Sequence, residues 1–249
     1  MSTYTFGDSE LARERLALVA DTFAAPTRAL LADLPPTVGR YILDLGCGPG
    51  HTTALLRETF PLAQFTGFDS SEAMIAEATA RVPGATFAVF DVTQPLLLPA
   101  DIVYARLLLG HLTDPHAALA TWAPSLRPGS GLIVCEEPVR YRSDNPLFLA
   151  YEEIVTQVVA ATGSTLWAST ALDDGPPDCD RVLDRVVEHP VPAARAAAMF
   201  WRNAVQWRDR APGKDVDALI ERFQELELSG ANEPVMWELR QVAFRKRHG

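Results

Sequence analysis

Three aspartates, Asp44, Asp69 and Asp91, have the type and spacing to meet a ligand, and each ends or lies within a short apolar run. Asp44 stands two residues before Gly46-Cys47-Gly48-Pro49-Gly50. Glycines there let the backbone turn sharply and let a ligand approach without side chains in the way. Residues 52–57 read as a helix, so the turn opens at a helix N-terminus with free N–H groups and the positive end of the dipole. The dinucleotide fingerprint G-x-G-x-x-G holds a pyrophosphate at such a place. Here the spacing is G-x-G-x-G, and the carboxylate of Asp44 would repel a pyrophosphate but suit an ammonium group. That argues against a nicotinamide dinucleotide and for an amino-acid-like cofactor. Asp69 lies 23 positions after Gly46, where an acid reaches two ribose hydroxyls. An ionised carboxylate only accepts hydrogen bonds, so it fits a cis-diol.

Strands and helices in alternation must carry these residues. Residues 41–45 are apolar except for Asp44, as in a strand covered on both faces. Further strands are expected at 64–69, 86–91, 101–105 and 132–137. Ser70-Ser71-Glu72 opens a helix with a capping serine and an acid in its first turn. Asp114 caps another, with Pro115 at its first position. Five strands alternating with helices predict a doubly wound α/β sheet. Its ligands bind at the carboxyl ends of the strands, where the three acids fall in order.

The run Asp44-Leu45-Gly46-Cys47-Gly48-Pro49-Gly50 resembles the first motif of class I S-adenosylmethionine (SAM)-dependent methyltransferases. The stretch from Ala100 to Val134 is similar to the later motifs of the small-molecule members. The likeness covers about residues 40–138 and implies a seven-stranded, mostly parallel sheet with an antiparallel last strand, plus helical lid elements. It implies SAM as cofactor, S-adenosylhomocysteine as product, and cofactor contacts from Asp44, Gly46, Cys47, Gly48 and Gly50. Asp69 and Ser70 follow on the ribose side. Asp91, with Val92, matches the position that accepts from the adenine amine. Met74 packs against the adenine by this likeness, or in the core on spacing alone. Arg106 is a further candidate for cofactor or acceptor. A helical lead-in over 1–39, broken near Pro26, is common in the family. Its tip often closes over the ligand, which makes Tyr4 and Phe6 lid candidates or ordinary packing residues.

The methyl of SAM sits on a positive sulfur, so methyl transfer needs alignment, exclusion of water and sometimes a base. His111, just past the fourth strand, is the candidate base, or a structural histidine. Glu137 is a candidate for contact with the acceptor. Trp167, Trp201, Trp207 and Tyr151 line an aromatic pocket or belong to the core. After strand five the pattern loosens: helices are expected at 148–161, 193–207 and 216–228, and strands at 183–189 and 235–244. The long connection over 139–180 reads as a lid or acceptor insertion, and 181–249 completes the sheet, giving a single domain over 1–249.

Composition narrows the partners. The chain of 249 residues is 48% hydrophobic with a net charge of −10. A full core is therefore expected, while nucleic acid, which needs a basic surface, is disfavoured. Cys47, Cys135 and Cys179 show no metal-ligand spacing and read as reduced thiols of a cytoplasmic protein, a monomer or homodimer, with no metal. The start is polar without a signal peptide. The most apolar run, 95–112, is interrupted by Asp101, Arg106 and His111, so no membrane span is expected. The expected activity is methyl transfer from SAM to a small organic acceptor: oxygen first, nitrogen or carbon as alternatives, within specialised metabolism. The rival readings are a non-methylating reaction such as cyclisation in the same fold, and a non-catalytic SAM-binding subunit.

Overall fold

The structure, a computed structural model, describes residues 9–37, 39–211 and 215–248. Seven strands form one sheet in the order β3-β2-β1-β4-β5-β7-β6. They are β1 (Tyr41–Leu45), β2 (Gln64–Asp69), β3 (Thr86–Val89), β4 (Ile102–Arg106), β5 (Leu132–Arg142), β6 (Cys179–Pro192) and β7 (Pro234–Lys246). The first five run parallel, and β7 lies antiparallel between β5 and β6. The expected doubly wound sheet with an antiparallel last strand is therefore present.

Side-chain alternation explains why this sheet is covered on both faces. Ile42, Ile102, Tyr104, Leu132 and Val134 point to one face, under α2 (Ala24–Ala32) and α3 (His51–Thr59). Leu43, Leu45, Val103, Ala105, Ile133 and Cys135 point to the other, under α5 (Pro115–Trp122). A third cluster lies past the carboxyl ends of β4 and β5. It is built from α1 (Glu10–Thr22), α6 (Pro146–Ala160), α7 (Ala193–Trp207) and α8 (Val216–Leu228).

Several boundaries differ from the sequence reading for local reasons. The lead-in breaks at Phe23, while Pro26 falls in the first turn of α2, where its missing N–H forfeits no helical bond. Strand β3 ends at Val89, two residues before Asp91. Strand β5 runs on to Arg142 because a register shift between Pro138 and Arg140 absorbs the proline. Strand β6 spans 14 residues instead of seven. Of the expected insertion, 139–142 continue β5, and α6 buries Leu147, Phe148, Tyr151, Ile154, Val155, Val158 and Val159. No helix among the described residues is long and apolar enough to cross a membrane.

Candidate functional site

The turn after β1 is held by glycine backbone and by one carboxylate. Gly46, Gly48 and Gly50 have φ of +65°, +52° and +82°, which a Cβ makes unfavourable. A Cβ on Gly46 would lie 2.8 Å from Leu108, and one on Gly50 would lie 3.0 Å from the Cα of Ala78. A Cβ on Gly48 would meet no atom within 4 Å, so the backbone there is open to a ligand. The Asp69 carboxylate accepts from the amides of Gly48 (2.9 Å) and Ser71 (3.0 Å), stitching the first turn to the end of β2. Burial raises its pKa against those two bonds. Asp44 is 1% exposed and accepts from the Thr53 hydroxyl at 2.6 Å. Among the described residues it makes no ion pair, and burial pushes its carboxyl up to about 7 against the Thr53 hydrogen bond and the more distant charge of Arg106. A buried carboxyl with a hydroxyl partner and no ion pair among the described residues is an acceptor that an ammonium group completes. These residues fit SAM.

A second wall rises from the end of β4. Leu107 has φ of +54°, a strained value for a branched side chain. Glu137 holds this turn: its Oε1 accepts from the amides of Leu108 (2.8 Å) and Leu109 (2.7 Å). Burial raises the Glu137 carboxyl to about 7. Its neighbour Glu136 points to the opposite face. There it accepts from Thr27 (2.8 Å), Gln241 (2.8 Å) and the hydroxyl of Tyr104. Arg106 donates to Thr27 at 3.3 Å and so joins this buried network.

Between this turn and the upper helices lies a cavity of about 130 Å³. Leu107, His111 and Glu137 form its floor, and Phe23, Tyr141, Tyr151, Trp167, Phe200 and Trp237 give it aromatic walls. Burial lowers the His111 imidazole to about 4, so it is neutral at pH 7. The cavity and the glycine turn share a wall, because Leu107 lines the one and Leu108 abuts Gly46 of the other.

The sequence candidates distribute unevenly over this geometry. Asp44, Gly46, Gly48, Gly50 and Asp69 meet at the first turn. The Cys47 side chain turns to β2, where Sγ lies 3.0 Å from a Cβ built on Gly67. Ser70 follows Asp69, and Met74 is buried on α4 (Glu72–Arg81). Asp91 is exposed and accepts from both the amide and the hydroxyl of Thr93, which lowers its pKa. Val92 is buried and its carbonyl accepts from the Trp122 indole. Trp167 and Tyr151 line the cavity. Trp201 instead donates to Glu227, and Trp207 is a fully buried core residue; neither lines it. Tyr4 and Phe6 lie outside the described residues. Asn203, Phe200, Tyr141 and Trp237 also line the cavity and carry no local sequence motif that marks them. Phe200 and Asn203 are three apart on α7, a spacing that shares a helix face.

A parallel sheet turned once by an antiparallel seventh strand, with a glycine turn and an acid at the end of β2, defines a class I SAM-dependent methyltransferase. Residues 12–173 match the family described as methyltransferase domain, and the chain belongs to that family. It is similar to the trans-aconitate 2-methyltransferase of Yersinia pseudotuberculosis serotype O:1b (strain IP 31758), 34% identical over 71% of this chain and 72% of that protein. The enzyme of the same name from Methylobacterium radiotolerans is 33% identical over 76% and 70%. The solved structure of a geranyl diphosphate methyltransferase with GPP and sinefungin has a TM-score of 0.55 at 18% identity, over 93% and 82% of the two chains. At that identity the likeness is one of fold.

Proposed function

We propose that this enzyme transfers the methyl group of SAM to a small organic acceptor held in the aromatic cavity, releasing S-adenosylhomocysteine. The observation that carries this reading is the shared wall: Leu107 and Leu108 put the acceptor cavity beside the glycine turn. Methyl transfer needs that adjacency, with the acceptor atom in line with the methyl and water kept out. Bound at the turn, SAM supplies a methyl on a positively charged sulfur, an electrophile already activated. Asp44 takes the ammonium, Asp69 the ribose hydroxyls, and the aromatic walls dehydrate the acceptor. Oxygen is the favoured acceptor atom, since a hydroxyl can lose its proton locally. Glu137, held near 7, is matched to receive a proton at neutral pH. His111, held near 4, is a weaker base and serves as a hydrogen-bond partner of the acceptor. Three buried, unpaired cysteines support a cytoplasmic setting.

Calorimetric SAM titration and release of S-adenosylhomocysteine test this reading together. Asp69→Ala should weaken SAM about 10- to 100-fold, the cost of unpaired hydroxyls and of a loosened glycine turn. Asp69→Asn, which keeps one acceptor oxygen, should recover part of the loss. Unchanged SAM affinity in Asp69→Ala removes that residue from the site. SAM binding with no product released from any acceptor would favour a non-catalytic subunit.

A further inference from the structure

Two residues of the cavity lining carry a polar atom with no hydrogen-bond partner among the described residues. Asn203 is 8% exposed, and its Nδ2 donates to the Tyr151 hydroxyl at 2.6 Å. Its Oδ1 is buried and, among the described residues, without a hydrogen-bond partner. Trp237 is 9% exposed, and its indole N–H is likewise buried and unpartnered among the described residues. Both residues line the cavity. A buried polar atom left without a partner is costly, so one retained on a cavity lining calls for a reason, and a bound molecule that satisfies it is one. Around them the lining is aromatic and aliphatic. Among the described residues Arg15 is the one arginine or lysine of that lining, and Glu137 lines the same space.

This combination selects by charge and by size. A tricarboxylate such as trans-aconitate brings three negative charges and needs several cations to replace its water. Among the described residues of the lining it would meet one arginine, a neutral imidazole and an acid. Flat rings instead match the walls, where Tyr151 stacks on Phe200 with centroids 4.4 Å apart and Tyr141 sits 5.2 Å from Trp237. A dry cavity of about 150 Å³ is enough for a benzene ring, close to the volume of about 130 Å³ here.

We propose, resting on the methyl-transfer reading above, that the acceptor is an uncharged single-ring aromatic compound bearing a hydroxyl or N–H. In the bound complex its polar hydrogen is hydrogen-bonded to Asn203 Oδ1, and its heteroatom accepts from the indole N–H of Trp237; on methyl transfer that hydrogen leaves as a proton to the Glu137 carboxylate, as in the reading above. The chain therefore differs in acceptor class from the trans-aconitate enzymes it is similar to. Asn203 is the residue that sets the preference for a donor-bearing ring.

The test uses the full-length enzyme saturated with S-adenosylhomocysteine, with 4-fluorophenol and 4-fluorotoluene as ring probes of near-equal shape, followed by ¹⁹F NMR. The phenol should bind at least about ten-fold more tightly than the toluene, the worth of satisfying a buried group. In Asn203→Leu the ratio should fall to about one. Trp237→Phe keeps the ring and removes only the N–H, and it should lower the ratio even where the leucine variant does not fold. Trans-aconitate at millimolar concentration should not displace the bound phenol. Equal binding of the two probes to the native enzyme, or an unchanged ratio in both variants, overturns the inference. So does displacement or turnover of trans-aconitate, which would leave methyl transfer intact. Loss of SAM binding altogether, by contrast, would strike the functional reading and not the cavity.

Discussion

SAM affinity should rise steeply with pH, because its ammonium must meet an ionised Asp44. In the structure that carboxyl is buried and raised from 3.8 to about 7, about 4 kcal/mol against the charged form. A carboxyl at 7 is about 1% ionised at pH 5 and about 90% ionised at pH 8. The α-amino group of the ligand has a pKa near 8 and is no more than about half protonated at pH 8. If only the carboxylate and the ammonium pair, affinity should increase about 30- to 50-fold across that interval, with a maximum near pH 7.5. Binding at pH 6 should also release about 0.9 proton. Calorimetry in two buffers of different ionisation enthalpy reads both quantities. Asp44→Asn should bind more weakly at pH 8 and show a flat profile. Glu137→Gln serves as control, since Glu137 is held in the same range but supports the neighbouring wall. A flat profile for the native enzyme, or the same slope in Asp44→Asn, would refute the pairing.

Four further outcomes follow from the same geometry. Gly48→Val should abolish SAM binding in a chain that still folds, since its side chain would enter the open side of the turn at a φ of +52°; a folded variant with native affinity counts against it. Glu137→Ala should cost about 2–5 kcal/mol in urea unfolding by orphaning the buried amides of Leu108 and Leu109, with Glu137→Gln recovering much of it. Because the folded pKa of Glu137 is raised from 4.5 to about 7, its contribution is fully present below 4.5 and is lost as pH rises to 7, about 3 kcal/mol in all; the native unfolding free energy should fall across that window and less so in Glu137→Gln. Hydrogen exchange over 139–180, with Gly163 and 173–178 as hinge points, should slow when SAM and acceptor are both bound and far less with SAM alone; equal exchange in all states removes the cover role from this segment.

The parallel half of the sheet was legible because its cues are local. The periodicity of β1, β2, β4 and β5 and the glycines after β1 needed no tertiary information, and α7 and α8 lie where their apolar spacing put them. The aromatic cavity was not legible, because Phe23, Tyr141 and Trp237 come from the α1–α2 junction, β5 and β7, and join Phe200 and Asn203 of α7 only on folding. Pairing also overrode spacing: Asp91 looked like a strand end, yet its carboxylate bonds its own Thr93. Trp207 reads on α7 like a wall residue, but its 0% exposure marks it as core. The orphan atoms of Asn203 and Trp237 are defined by what surrounds them, and one-dimensional pattern does not encode that.

Strand β7 is the latest element in chain order, yet it occupies an interior place in the sheet, between β5 and β6. During synthesis, therefore, β5 and β6 emerge with no partner for each other, and two strand edges stay exposed until residues 234–246 leave the ribosome. The same strand carries Trp237 into the cavity. Completion of the cavity lining and closure of the sheet thus coincide, and a nascent chain short of β7 would present sticky edges without a finished pocket. A release-dependent gain of ring binding, measured on stalled chains of graded length, should appear as one step at this strand.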